Sequence, residues 1–240
     1  MKPDLSVFLL AYNEEENILE AIDESLKVLG EIAGKYEVLV VLYEGSRDKT
    51  REIVERLSEK YSQIRLVTQP LDQAGYGAAL RIGFESARYP LIFYTDADNQ
   101  FNIHELKEFV SHIEGGDLVV GFRVNRKDPP GRILAAKAYG LLIRLVFGLK
   151  VRDVDCAFKL VKKEVFEKVR LSCGTGMGDA ELLVKAKKHG FKIVELPVSH
   201  LPRKKGEAVF HQGGMGFVKP KVVFNLLKDM FKLKKEIMFS

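Results

Sequence analysis

Four short apolar runs, separated by stretches of helical period, fill the first hundred residues, and no other feature restricts the fold of this chain as strongly. The runs LSVFLLAY, VLVVLY, IRLVT and LIFYT have the length of strands and almost no polar residues, which suits strands covered on both faces. Between them the apolar residues change to helical spacing: Leu19, Ile22, Leu26 and Leu29, then Ile53, Val54 and Leu57, then Ala79 and Ile82. Asn13, with Glu16 on the next turn, has the form of a capping box, and Ser46 is expected to cap the second helix. Strands alternating with helices build an α/β fold with a Rossmann-like, mostly parallel central sheet flanked by helices.

The second half continues the pattern less regularly. DLVVGFR is a further strand, Pro129, Pro130 and Gly131 mark a turn, and an amphipathic helix is expected from Ile133 toward Phe147. FKLV is a candidate strand, Asp179 to His189 a helix, KIVELPV a last strand, and the residues from Lys219 onward a helix that interleaves apolar and basic side chains. No repeat or low-complexity linker divides the 240 residues, which suits a single domain over 1–210 followed by a basic amphipathic segment over 211–240. The tract ILAAKAYGLLIRLVFGL is broken by Lys137 and Arg144, so no membrane span is expected, and the N-terminus lacks the pattern of a signal peptide. Cys156 and Cys173 have no CxxC spacing, which suits a reduced, cytoplasmic chain.

Polar clusters fall at the carboxyl ends of the strands, where open α/β sheets bind their ligands. Tyr12, Asn13 and Glu14 follow the first strand, Glu44, Gly45 and Ser46 the second, and Asp96 and Asp98 the fourth. In extended backbone Asp96, Asp98 and Gln100 would project to one side and offer oxygen ligands to a hard cation, Mg²⁺ or Mn²⁺. A solvated acidic turn at a strand end has the same sequence. The net charge of +5, from 38 basic and 33 acidic residues, suits nucleic acid, an anionic membrane or a phosphorylated substrate equally.

LAYNEEENI, EVLVVLYEGSRDKT and FYTDADNQF resemble, in order and spacing, the leading signatures of family 2 glycosyltransferases of the GT-A fold. The set looks most like the polyprenyl-phosphate (dolichyl-phosphate) sugar transferases, and the likeness extends through VVGFR, VRDVDCAFKL and DAELLVKAKKHGFKIVELPVSHLPR to about Arg203. The resemblance implies a metal-dependent, inverting transfer of a sugar from a GDP- or UDP-linked donor to a polyprenyl phosphate. It implies that Ala11, Tyr12, Glu14, Glu44 and Gly75 line the nucleotide-sugar pocket, with Asp96 and Arg203 at the donor phosphates. It implies a metal at Asp96, Asp98 and Gln100, phosphate contacts at Arg123 and, less directly, Arg132, and catalytic roles for Asp98, Arg123 and Asp179. Asp179 would serve as a base only if the acceptor is a hydroxyl, because a phosphate is already ionised; with Glu181 it also has the position of an acid favoured by a helix start.

Two positions depart from the family's pattern. Tyr43 stands where an acid is usual and Leu10 where a proline is usual, so the base, GDP or UDP, stays open, and with it a silent nucleotide- or lipid-binding relative; a glycan or lipid hydroxyl acceptor is the other alternative. Gly75 and Gly77 suit a backbone turn near the donor, PRKKGEAVFHQGG has the character of an active-site loop, and only His200 among the histidines lies near the expected site. The C-terminal Lys and Phe/Leu pattern suits either packing on the domain or peripheral attachment to the cytosolic membrane face. No nucleic-acid partner is expected, since the basic residues belong to no recognition module.

Overall fold

The computed structural model describes residues 2–203, 205–206 and 220–239, with side chains for all but 220–223 and 239. Seven strands, β1 (Leu5–Ala11), β2 (Tyr36–Tyr43), β3 (Ile64–Gln69), β4 (Leu91–Asp96), β5 (Leu118–Val124), β6 (Phe158–Lys162) and β7 (Ile193–Ser199), form one sheet in the order β3-β2-β1-β4-β6-β5-β7. Only β6 runs against its neighbours; every other pairing is parallel. The chain winds outward from β1 through β2 to β3, then returns to the other side of β1 with β4. That reversal opens a crevice at the carboxyl ends of β1 and β4, where an open α/β sheet can take a ligand.

Helices cover both faces of the sheet, which explains why all seven residues of β1 are buried. On one face α1 (Ile18–Ile32), α2 (Thr50–Lys60) and α4 (Leu106–His112) pack through Ile22, Val28, Leu29, Val54, Leu57 and Phe109. On the other, α3 (Tyr76–Ser86), α5 (Pro130–Phe147), α6 (Lys163–Lys168), α7 (Gly178–Lys188) and α8 (Pro220–Phe239) contribute Phe84, Ile143, Val165, Leu183 and Leu233. Each such side chain taken from water contributes about 1.5–3 kcal/mol. Aromatic rings set the thickness of both layers. Phe8 stacks on Tyr94 at 5.2 Å, and Phe93 and Phe109 stand edge-on to Phe158 at 4.6 and 4.9 Å.

Three local expectations are corrected. The capping box at Asn13 and Glu16 does not form, because Asn13 takes a left-handed conformation at φ 53° and accepts the Arg47 N–H on Oδ1 at 2.8 Å. Ser46 caps no helix; its Oγ accepts the Asn13 N–H, and α2 starts four residues later. The two loops are stitched further by Glu14 N–H to Thr50 Oγ1 at 2.9 Å and Glu15 N–H to Asp48 Oδ2 at 2.8 Å. The late start of α1 turns its buried stripe to Ile18, Ala21, Ile22, Val28 and Leu29, and leaves Leu19 exposed.

Helix α8 lies on the domain through Leu226, Met230, Leu233 and Ile237, with Lys185 paired to Glu236 at 2.7 Å. Most of the expected loop PRKKGEAVFHQGG, including His211, and Lys219 lie outside the described residues. Among the described residues, no helix is long and apolar enough to cross a membrane.

Candidate active site

Parallel register sets Leu10 beside Asp96, so the ends of β1 and β4 deliver Ala11, Tyr12 and Asp96 to the same point of the crevice. Beyond Asp96 the strand stops. The chain turns, Asn99 is left-handed at φ 56°, and Asp98 Oδ1 accepts the Gln100 N–H at 3.1 Å. Asp96, Asp98 and Gln100 are therefore grouped by a tight turn, and the expected register along an extended strand is corrected. The Gln100 side-chain amide donates to Leu201 O at 3.2 Å and ties the turn to the segment after β7.

That segment carries Arg203 back to the acids. Its Nη2 donates to Glu14 Oε1 at 2.6 Å and its Nη1 to Asp98 Oδ2 at 3.3 Å, so one guanidinium near the end of the sheet domain bridges the loops after β1 and β4. Asn17 donates to the other Glu14 oxygen at 2.7 Å. Burial pushes the Asp96 carboxyl well above the ordinary range, and the charges of Asp98 and then Asp179 push it further. Burial also raises Asp98 and Glu14, against the pull of the Gln100 N–H and Arg203 on the first and of Asn17 and Arg203 on the second. Three acids crowd this corner, and Arg203 is the cation that touches two of them.

The other expected cations are already paired. Arg123 grips Asp153 with two bonds of 2.7 and 2.8 Å; burial opposes its charge, but Asp153 holds the proton on. Arg132 lies 3.2 Å from Asp128, which Arg126 also binds. His200 is buried behind them against Phe101; burial lowers its pKa against the pull of Asp128.

Asp179 sits at the start of α7 but points into the domain. Its Oδ1 accepts both Lys159 Nζ at 2.5 Å and the Tyr94 hydroxyl at 2.6 Å. Glu181 is fully buried, accepts the Ser172 and Cys173 N–H groups and pairs with Lys185, so it anchors the segment before α7. Lys159, Asp153 and Asp155 are missing from the expected site. One signal for Lys159 was present: strand alternation in FKLVK puts it on the same face as the core residue Val161.

Asp155 is pushed up to about 7, first by burial and then by the charge of Asp179, with Arg123 and Lys159 pulling the other way. Its folded pKa exceeds its unfolded value near 4, so the stability it confers is complete below about pH 4 and is lost as the pH rises through about 7. Asp155→Asn removes this loss. Against the parent, its unfolding free energy should gain progressively between about pH 4 and 7 and level off at no more than about 4 kcal/mol. Urea melts across that range check this; a gap that does not change with pH would refute it.

At the open end of the crevice the Tyr12 and Tyr43 rings meet at 5.8 Å, and Glu44, exposed, accepts the Leu71 N–H at 3.1 Å. Gly75 has φ 115°, and a Cβ there would come within 2.1 Å of Gly174 O, so only glycine lets α3 start against the 173–175 segment.

The chain has relatives among known proteins. The chain is 32% identical over 212 residues to the glycosyltransferase AglD of Haloferax volcanii, covering 83% of this chain and 33% of that protein. It is 31% identical to the dolichyl-phosphate beta-glucosyltransferase ALG5A of Trichomonas vaginalis, covering 81% of this chain and 64% of the relative. The chain thus spans between a third and two thirds of the length of these relatives. A crystal structure of glucosyl-3-phosphoglycerate synthase from Mycobacterium tuberculosis, in complex with Mn²⁺, UDP and phosphoglyceric acid, superposes with a TM-score of 0.70 at 20% identity, covering 95% of this chain and 78% of that one. At that identity the likeness speaks for the fold. The model of the family described as glycosyl transferase family 2 matches residues 6–170, and with the mostly parallel sheet and the polar strand ends that it spans, the chain belongs to that family.

Proposed function

We propose that this protein transfers a sugar, with inversion, from a nucleoside diphosphate sugar to a polyprenyl phosphate at the cytosolic face of a membrane, with Mg²⁺ or Mn²⁺ bound at Asp96 and Asp98. The observation that carries the reading is the acid corner where Arg203 bridges Asp98 and Glu14 beside buried Asp96. The dolichyl-phosphate names of the relatives support the acceptor.

The residues present fit a hard cation. Burial raises both Asp96 and Asp98 and the charge of Asp98 raises Asp96 further, which a divalent ion would relieve, and their oxygens, with that of Gln100, are the donors such an ion prefers. Among the described residues no group of three or more His, Cys, Asp or Glu could hold a metal ion, so donor phosphate oxygens would complete the shell. When bound, the ion would supply Lewis-acid neutralisation of the departing diphosphate. Tyr12, Glu44 and the turn at Gly75 would border the nucleoside, and Arg203 and Arg132 would contact phosphates with the N–H donors that Glu14, Asp98 and Asp128 leave over.

An acceptor that is already ionised needs no base. Asp179 has one oxygen bound to Lys159 and Tyr94, which suits a positioning role and a phosphate acceptor. Asp155 supports a second reading, since a carboxyl held near 7 could take a proton from a hydroxyl acceptor. Release of nucleoside diphosphate should be measured from GDP- and UDP-sugars, with and without Mn²⁺, polyprenyl phosphate and a soluble glycoside. Turnover with the polyprenyl phosphate, kept within about tenfold in Asp155→Asn and Asp179→Asn, is expected. Turnover with the glycoside that falls by a hundredfold or more in Asp155→Asn would favour the rival, and no turnover in the whole panel would overturn both.

A further inference from the structure

We propose that the face formed by α5, the end of α7 and α8 docks this protein on an anionic phospholipid bilayer, with a lipid phosphate seated between Lys187 and Lys234. The proposal rests on the lipid-acceptor reading and deepens it by naming the surface and the headgroup chemistry.

Three observations meet on this face. Helix α5 buries only Ile143 and holds Leu134, Leu141 and Leu145 out at 69%, 56% and 74% exposure, while α8 does the same with Phe224, Phe231 and Met238. Single exposed apolar residues are ordinary, but rows of them on two helices in contact mark an interaction surface. The helices meet where Lys234 donates to Val146 O and lies over the Phe147 ring.

Charge follows the same helices. Helix α5 has three basic residues and no acid, and α8 has five basic residues and two acids, so each carries +3, whereas the whole chain is only +5 and the remainder is slightly acidic. The two acids of α8 are engaged elsewhere, Asp229 with Thr175 and Glu236 with Lys185.

The third observation is a pocket of about 170 Å³ between the three helices, lined by Phe147, Val184 and Ile237 with Lys187, Lys188 and Lys234 and, among the described residues, by no acid. Each ammonium donates to a carbonyl at a helix end, Lys187 to Gly148, Lys188 to Ile237 and Lys234 to Val146, which fixes the charges around the rim. An ammonium has three N–H donors, so the bonds of Lys187 and Lys234 leave capacity for a phosphate. Apolar side chains beside fixed cations are what an anionic lipid surface recognises, whereas a nucleic acid would gain nothing from the leucines. Helix α5 also leads to the site: the charge of Arg132, in its first turn, acts on Asp98, so the same helix joins the proposed bilayer contact to the acid corner.

The full chain should be sedimented with vesicles of phosphatidylcholine alone and of phosphatidylcholine mixed with phosphatidylglycerol, at low salt. Binding to the anionic vesicles and little to the neutral ones is expected. Lys187→Gln with Lys234→Gln should weaken it about thirtyfold, at about 1 kcal/mol per lysine, while the matching arginine pair keeps it. Leu141→Ser with Leu145→Ser should weaken it at least tenfold without lowering the melting temperature. Equal binding to both vesicle types, no effect of either pair, saturable binding of inorganic phosphate without vesicle binding, or a dimer that buries α5 and ignores vesicles would each overturn the proposal. Transfer to a short, water-soluble polyprenyl phosphate without vesicles reads the proposed activity separately. Transfer without vesicle binding refutes the docking alone, and vesicle binding without transfer supports the docking and refutes the activity.

Discussion

Asp98→Ala is expected to lower metal-dependent sugar transfer about a thousandfold or more, the scale on which several kcal/mol of charge stabilisation is removed from a departing diphosphate. The substitution takes out one of the two carboxylates proposed to hold the cation and leaves Asp96 and the Gln100 oxygen with the donor's phosphate oxygens. The fold should survive. Asp98 lies in a turn after β4, and its loss frees the Gln100 N–H and one of the two carboxylate contacts of Arg203, while the Glu14 contact at 2.6 Å remains. A change in unfolding free energy within about 1 kcal/mol is therefore expected. Two titrations check this: donor hydrolysis against Mn²⁺ concentration, and melting without metal. Turnover that keeps its metal dependence in a folded Asp98→Ala protein would remove the proposed metal site.

Lys159→Met is expected to cost about 3–5 kcal/mol of stability, the range for stranding one partner of a buried ion pair. Both members lie inside the domain, with Lys159 at 0% exposure and Asp179 at 3%, and the ammonium donates further to Val154 O and Cys156 O. Without the lysine, the Asp179 carboxylate keeps only the Tyr94 hydroxyl and loses its counter-charge in a dry layer. Lys159→Met combined with Asp179→Asn should recover most of the loss, because replacing a buried pair as a whole is far less costly than breaking it. Urea melts of the two single variants and the double variant give the coupling. A double variant no more stable than Lys159→Met alone would show that the lysine acts through packing rather than charge.

Local pattern made the strands and most helices legible. LSVFLLAY, VLVVLY and LIFYT had to be buried on both faces, whereas IRLVT, at the sheet's edge, is only half-buried, and a parallel sheet places their polar ends on one side. Legibility failed where side chains compete for the backbone. Asn13, Ser46 and Asp48 have the composition of helix caps, yet all three bond across two loops, because those loops face each other at the ends of paired strands. The stripe of α1 moved for the same reason. At the site, a family pattern pointed to Arg123 as a phosphate contact, and Asp153, which occupies two of its donors, lies thirty residues along the chain.

The sequence by itself determined the α/β class, the parallel winding of the first four strands and the grouping of Tyr12, Glu14, Asp96 and Asp98 at one sheet edge, since periodicity and strand polarity are local properties. Only the tertiary structure decided which charges are spent: Arg203 on Glu14 and Asp98, Lys159 on Asp179, Arg123 on Asp153. It also decided which apolar residues of α5 stay outside. Ion pairing and burial depend on distances between residues far apart in the chain, and those distances are set when β6 inserts against β4 and β5 and the segment after β7 folds back over the turn at Asp98.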